Sequence, residues 1–181
     1  GALGAAGTGV ALGDATSAGT ISFRNNSAFK TDRAFTLGAG GGIFDTDGNA
    51  AIDLAGSISG SGGLAKTGTG TLTLFGANSY TGATHVAAGV LRAGVADAFN
   101  TNGAMQVDAG ATLDLNGNAQ TVGSLLGGGG VTLGAATFTT GGDGTSTLFS
   151  GAISGTGDLV KTGAGTLTLT GANTYSGGTT V

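Results

Sequence analysis

Few residues in this chain could do chemistry, and their spacing limits what they can do. His85 is the single histidine, so any Ser-His-Asp or Cys-His mechanism would have to run through it. A histidine-centred metal site would have one imidazole and no cysteine to build on. Asp45-Thr46-Asp47-Gly48-Asn49 starts like a calcium loop, but Ala50 stands where the turn needs glycine and Gly56 where a bidentate glutamate belongs. Gly141-Gly142-Asp143-Gly144 likewise departs from the calcium-binding nonapeptide, with Ser146 at the aspartate position. Both read as turns with solvated carboxylates. The remaining acids are too dispersed for the paired carboxylates of glycoside hydrolysis. Gly127 to Gly130 lacks the lysine and hydroxyl of a phosphate loop, and Gly40-Gly41-Gly42 is no dinucleotide fingerprint. Asn25-Asn26-Ser27 matches a glycosylation sequon and reads as a turn. No catalytic, metal or cofactor site is expected, and the chain is not read as an enzyme.

The elements that would position such residues follow from composition. Of 181 residues 41 are glycine, while proline, cysteine and tryptophan are absent, and all ten acids are aspartate. Without glutamate, and with aspartate favouring turns, helices should be scarce. Collagen needs glycine at every third position with abundant proline. Disorder needs low hydrophobicity, whereas 39% of residues are hydrophobic and the mean hydropathy is +0.28. An all-β fold with many tight turns remains. Net charge is −4, and the six basic residues stand singly, so no patch exists for nucleic acid. Lack of cysteine excludes a disulfide framework. The chain has no initiating methionine, no signal peptide and no long apolar run, and is read as a piece of a longer protein.

An internal repeat organises the sequence. Gly56 to Val86 aligns without a gap on Gly151 to Val181, with identity at 21 of 31 positions and an offset of 95. Thr71-Leu72-Thr73-Leu74, matched by Thr166-Leu167-Thr168-Leu169, alternates with period two, so the leucines should point inward and the threonines outward. Ile52-Asp53-Leu54 and Thr112-Leu113-Asp114-Leu115 put carboxylates outward in the same way. Further strands are expected at Thr20 to Phe23, Ala34 to Leu37, Val90 to Arg92, Met105 to Val107, Gln120 to Leu125, Val131 to Leu133, Thr137 to Thr139 and Ser146 to Phe149. Strand periodicity alone fits a sandwich or barrel as well as a solenoid. The scarcity of Asn-Gly and Asp-Gly hairpin pairs and the long repeat favour stacked coils of about 20 to 30 residues, six to eight in number. Glycines at corners such as Gly60, Gly62, Gly68 and Gly70 would relieve the turns.

Repetition marks a set of structural positions: Leu64, Lys66, Gly70, Leu72, Leu74, Asn78 and Tyr80 in the first copy, and Leu159, Lys161, Gly165, Leu167, Leu169, Asn173 and Tyr175 in the second. The lysine stem is expected to cover apolar surface and the tyrosine ring to pack at a corner. His85 corresponds to Thr180 and should face outward.

The run from Leu64 to Gly82, and Leu159 to Gly178 more closely, resembles the passenger-associated transport repeat of bacterial autotransporters. Gly89-Val90-Leu91-Arg92-Ala93-Gly94 and Ala109 to Gly117 resemble the coils that follow it. The resemblance covers Ile43 to Val181 well and Gly1 to Gly42 in style. It implies a right-handed parallel β-helix, with residues 1 to 181 forming one passenger segment. It also implies a C-terminal translocator barrel elsewhere in the same full-length protein, and a location outside the outer membrane of a Gram-negative bacterium, secreted or on the cell surface. The function implied is a stalk supporting export, passenger folding and adhesion, with a host-surface or extracellular-matrix ligand. Two other classes compete: a self-associating or glycan- or ice-binding module with threonines in register, whose open ends stack end to end, and a polysaccharide-active β-helix enzyme. The solenoid class predicts a far-UV circular dichroism spectrum dominated by strand; substantial helix would refute it.

Overall fold

A computed structural model describes residues 8–24, 28–48 and 50–181; the sequon at Asn25-Asn26-Ser27, and Asn49 of the calcium-like loop, lie outside them. Every regular element among the described residues is a strand, and every pairing between strands is parallel. Parallel neighbours cannot be joined by a hairpin. The chain instead circles three sides and returns one layer further along, making a β-solenoid of about eight turns.

The longest side holds β2 (Gly19–Phe23), β5 (Gly42–Thr46), β8 (Leu64–Thr67), β10 (Thr84–Val86), β12 (Ala104–Val107), β15 (Ser124–Gly127), β18 (Thr147–Phe149) and β21 (Leu167–Leu169) in that order. A second side stacks β3 (Phe29–Thr31), β6 (Ala51–Leu54), β9 (Thr71–Leu74), β11 (Val90–Ala93), β13 (Thr112–Asp114), β16 (Gly130–Thr132) and β19 (Ile153–Ser154). On the third side the ladder is interrupted. It begins with β1 (Val10–Leu12), β4 (Phe35–Leu37) and β7 (Ile58–Gly60), and resumes with β14 (Gln120–Val122), β17 (Phe138–Thr140), β20 (Leu159–Lys161) and β22 (Thr179–Thr180). Coil length varies: Val10 faces Phe35, 25 residues on, whereas Thr112 faces Gly130, 18 on.

Period-two alternation sends one row of each strand into a continuous core. On the second side Ile52, Leu72, Leu91, Leu113, Val131 and Ile153 lie over one another, each fully buried. Each turn lies ~4.8 Å from the next. One inward row on the longest side is Ile21, Phe44, Lys66, Val86 and Val107, so a lysine occupies a core position.

Two local expectations are corrected. Gln120 to Leu125 is not one strand, because the chain turns a corner at Gly123 and β14 and β15 belong to different sides. A side chain at Gly123 would meet the Asn102 carbonyl at 2.3 Å, so only glycine lets the coil turn that closely over its neighbour. Thr73 keeps the outward parity of its row, yet it is buried, being a short side chain between Asp53 and Arg92 in that row.

Each coil contacts its neighbours, so damage should stay local. Replacing Leu113 with alanine is expected to cost about 2–5 kcal/mol, with loss of amide-exchange protection concentrated at Leu91 and Val131. Equal loss as far away as Phe44 would contradict nearest-neighbour stacking.

Candidate functional site

The repeated residues converge where the chain leaves β8 and again on the third side. Lys66 points inward and is fully buried. Its ammonium donates to the carbonyls of Thr67 at 2.8 Å, Gly68 at 2.8 Å and Ala88 at 3.0 Å. The first two belong to its own corner, bent by the positive φ of Gly68 (73°), and the third to the next coil. Three N–H groups thus meet three carbonyls, which is what makes a charged group tolerable in a core row. Beyond the stem, which is expected to cover apolar surface, the head is buried too, because the corner supplies the acceptors. Burial lowers the Lys66 ammonium to about 8, and the negative charge of Asp45 opposes that shift.

Asn78 stitches three coils together where the third side has no strand. Its Oδ1 accepts from the Ile58 N–H at 2.7 Å in the coil before, and its Nδ2 donates to the Ala98 carbonyl at 2.8 Å in the coil after. A side-chain amide thereby substitutes for a rung of the ladder. Tyr80 is buried, pairs with the Thr84 hydroxyl at 2.6 Å and accepts from the Asn100 N–H at 3.3 Å. Burial pushes its phenol up.

Two more residues on this side, missed by sequence reasoning, act alike. Asn100 Nδ2 donates to the Gly82 carbonyl at 2.9 Å, and Gln120 accepts from the Ala98 N–H at 2.8 Å while donating to the Val95 carbonyl at 2.7 Å. No repeat marks them; the usable signal is an amide residue about 20 positions after another.

The second copy reproduces the local geometry. Lys161 Nζ donates to the Thr162 carbonyl and, at 3.1 Å, to that of Gly163. Asn173 Oδ1 accepts from the Ile153 N–H at 2.9 Å, and Tyr175 pairs with Thr179 at 2.7 Å. Leu64, Leu72, Leu74 and Leu159 are buried, as is Gly70; Gly165, Leu167, Leu169, Asn173 and Tyr175 are half-buried in the last coil. The module does not sit on the same sides. Lys66 is in β8 on the longest side, whereas Lys161 is in β20 on the third, four coils and two sides further on.

Elsewhere several ionisable groups pair with one another. His85, half exposed, lies 2.7 Å from Asp108, and hydrogen bonds from Gln106 and then from His85 hold that carboxyl below its usual range. His85 borders a shallow groove of about 200 Å³ lined also by Gly41, Ile43, Gly63 and Ala65. Asp45 and Asp47 of the calcium-like loop face Arg24 at 3.7 and 3.3 Å. Asp143 accepts from the Thr145 N–H at 2.9 Å and its hydroxyl at 2.7 Å. Among the described residues no group of three His, Cys, Asp or Glu side chains could hold a metal.

Residues 64–93 and 159–181 match the passenger-associated-transport-repeat family. Both segments open on the residues of the lysine cage. The chain belongs to the autotransporter passenger domains. It is 47% identical over 172 residues to a protein described as adhesin BmaC autotransporter, from Brucella suis biovar 1 (strain 1330), a match covering 90% of this chain and 5% of that protein. It is 35% identical over 143 residues to an uncharacterized lipoprotein, YdeK, from Escherichia coli (strain K12), covering 76% of this chain and 10% of the relative. The passenger segment thus spans a small part of the length of either relative. No solved structure matches it.

The lysine cage has a pH signature. Between about 8, its value here, and the ordinary 10.5, the folded chain binds fewer protons than the unfolded one, so unfolding free energy rises with pH in that window. Below 8 both states are protonated and this contribution is flat. Denaturant melts at pH 7.5 and 9.5 should therefore show the wild type gaining stability relative to Lys66→Met; parallel behaviour of the two would refute a buried, depressed ammonium.

Proposed function

We propose that this segment is a structural stalk of a secreted cell-surface passenger, supporting export, passenger folding and adhesion. The observation that carries the reading is the extended identity to an adhesin autotransporter over nine-tenths of the chain, coupled with an uninterrupted stack of coils. A location on the surface of, or secreted from, a Gram-negative bacterium goes with that family. In the full-length protein a C-terminal translocator barrel would be the partner in export, and a host-surface or extracellular-matrix ligand the partner in adhesion. Residues 1 to 181 act as one segment in this reading. The repeat residues would serve as coil-to-coil fasteners, and no reaction is assigned to the chain.

An ice- or glycan-binding threonine face finds no support in the registers of these strands. Thr121 and Thr139 lie in register, but Val160 follows before Thr180. On the second side the outward row reads Lys30, Asp53, Thr73, Arg92, Asp114, Thr132 and Ser154. Thr71 is followed by Val90, then Thr112 and Gly130. No such row sets more than two threonines side by side among the described residues. The outward row on the longest side runs Thr20, Ile43, Ala65, His85, Gln106, Leu126, which is mixed in character.

In-frame removal of this segment from the parent protein tests the proposal. Protease-accessible passenger on intact bacteria and adherence to host cells or matrix-coated surfaces should both fall. Unchanged display and adherence would overturn it.

A further inference from the structure

Phe75 carries a side chain that the coil does not require. The second copy of the module has Thr170 at this place, and the backbone makes the same ladder bond in both: Phe75 N–H to the Leu54 carbonyl at 2.8 Å, Thr170 N–H to that of Phe149 at 3.1 Å. The ring is seated on the next coil. A methyl group at Gly94 would lie 2.4 Å from Cδ1 and 2.7 Å from both Cγ and Cε1, an approach perpendicular to the ring, so one face of Phe75 rests flat on the Gly94 backbone. The other face looks outward and leaves the residue 38% exposed. The Lys30 ammonium stands 5.6 Å from the ring centroid, near the outer limit of a cation–π contact.

Polar groups with unused hydrogen bonds stand beside that ring. The neighbouring outward row runs Asp53, Thr73, Arg92, and the short, buried Thr73 makes a notch between the two longer side chains. Lys30 is the register partner of Asp53 but forms no ion pair with it, and the Asp53 carboxylate has no hydrogen-bond or ionic partner among the described residues. Arg92 uses Nε on Asp114 at 2.8 Å, which leaves both Nη groups without a partner among the described residues. We propose that Phe75, Asp53 and Arg92 form a shallow subsite for a neutral pyranose sugar. A pyranose offers C–H bonds to the negative face of the aromatic ring. Its hydroxyls are both donors and acceptors, so they satisfy the Asp53 carboxylate and the Arg92 Nη groups together. An apolar peptide would use the ring and leave both charged groups unmatched. An anion would meet a carboxylate beside each cation, since Lys30, Asp53, Arg92 and Asp114 alternate in sign along the row and sum to zero. The subsite needs no threonine array, and it does not rest on the stalk reading.

The test uses the whole 181-residue chain and methyl β-D-galactopyranoside at millimolar concentration, in saturation-transfer difference NMR. The axial 4-hydroxyl of this sugar leaves the protons on C3, C4 and C5 together on one face, and saturation should be strongest on them. Phe75→Thr, which installs the residue of the second copy, should abolish the transfer, and Phe75→Tyr should keep it. Asp53→Asn, which removes the charge from the hydrogen bonds, should weaken binding by about tenfold or more. Absence of transfer to the wild type overturns the proposal. So does transfer that survives Phe75→Thr, or an affinity unchanged in Asp53→Asn. These readouts come from the isolated chain, so their failure is distinct from a failure of display or adherence on bacteria.

Discussion

Everything in this molecule follows from the axial hydrogen-bond ladder. A coil holds no backbone bonds across its own width; nearly every N–H and carbonyl must find its partner in the layer before or after. Buried peptide groups cannot be left unmatched without a cost of about 1–3 kcal/mol each. That requirement fixes the parallel polarity, the common spacing of the layers and the stacking of like side chains in rows. It also decides where irregularity is permitted. On the third side, between β7 and β14, the strands lapse, and Asn78, Asn100 and Gln120 bridge the layers with amide groups of the same chemistry as the backbone they replace.

The buried lysine belongs to the same logic. A corner must turn carbonyls away from the ladder, and those of Thr67, Gly68 and Ala88 converge on one point. An ammonium with three donors on a flexible stem satisfies all of them at once. Its charge is a burden in a core, moderated by the carbonyl dipoles and by Asp45 nearby. The repeat is thus best described as a set of solutions to the ladder's interruptions: one for the corner, one for the missing rung and one for the ring that fills the space beside it.

Much of this was legible in the sequence. The alternation of Thr71 to Leu74 and of Thr112 to Leu115 identified inward leucines, because period two needs no long-range information. The repeat and its resemblance identified the solenoid. The burial of the Lys66 head went unread because lysine normally keeps its charge in water, even though the spacing Leu64-Ala65-Lys66 already gave it inward parity. The roles of Asn100 and Gln120 were not readable, since their partners lie a full turn away and the turn varies from 18 to 25 residues. The break at Gly123 was hidden for a related reason: the sequence around it is continuously strand-like, and the close approach that requires glycine there is to Asn102 in another layer.

The displacement of the second module by two sides has a genetic corollary. An in-frame deletion spanning the 95-residue offset between the copies would leave one intact module at the junction. The fasteners would re-form, since they are internal to the module or reach only backbone. Whatever follows, however, would be carried forward from a different compass point, turned by a third of a revolution. Loss of a stretch of DNA would in this way re-aim the distal surface of the stalk instead of merely shortening it.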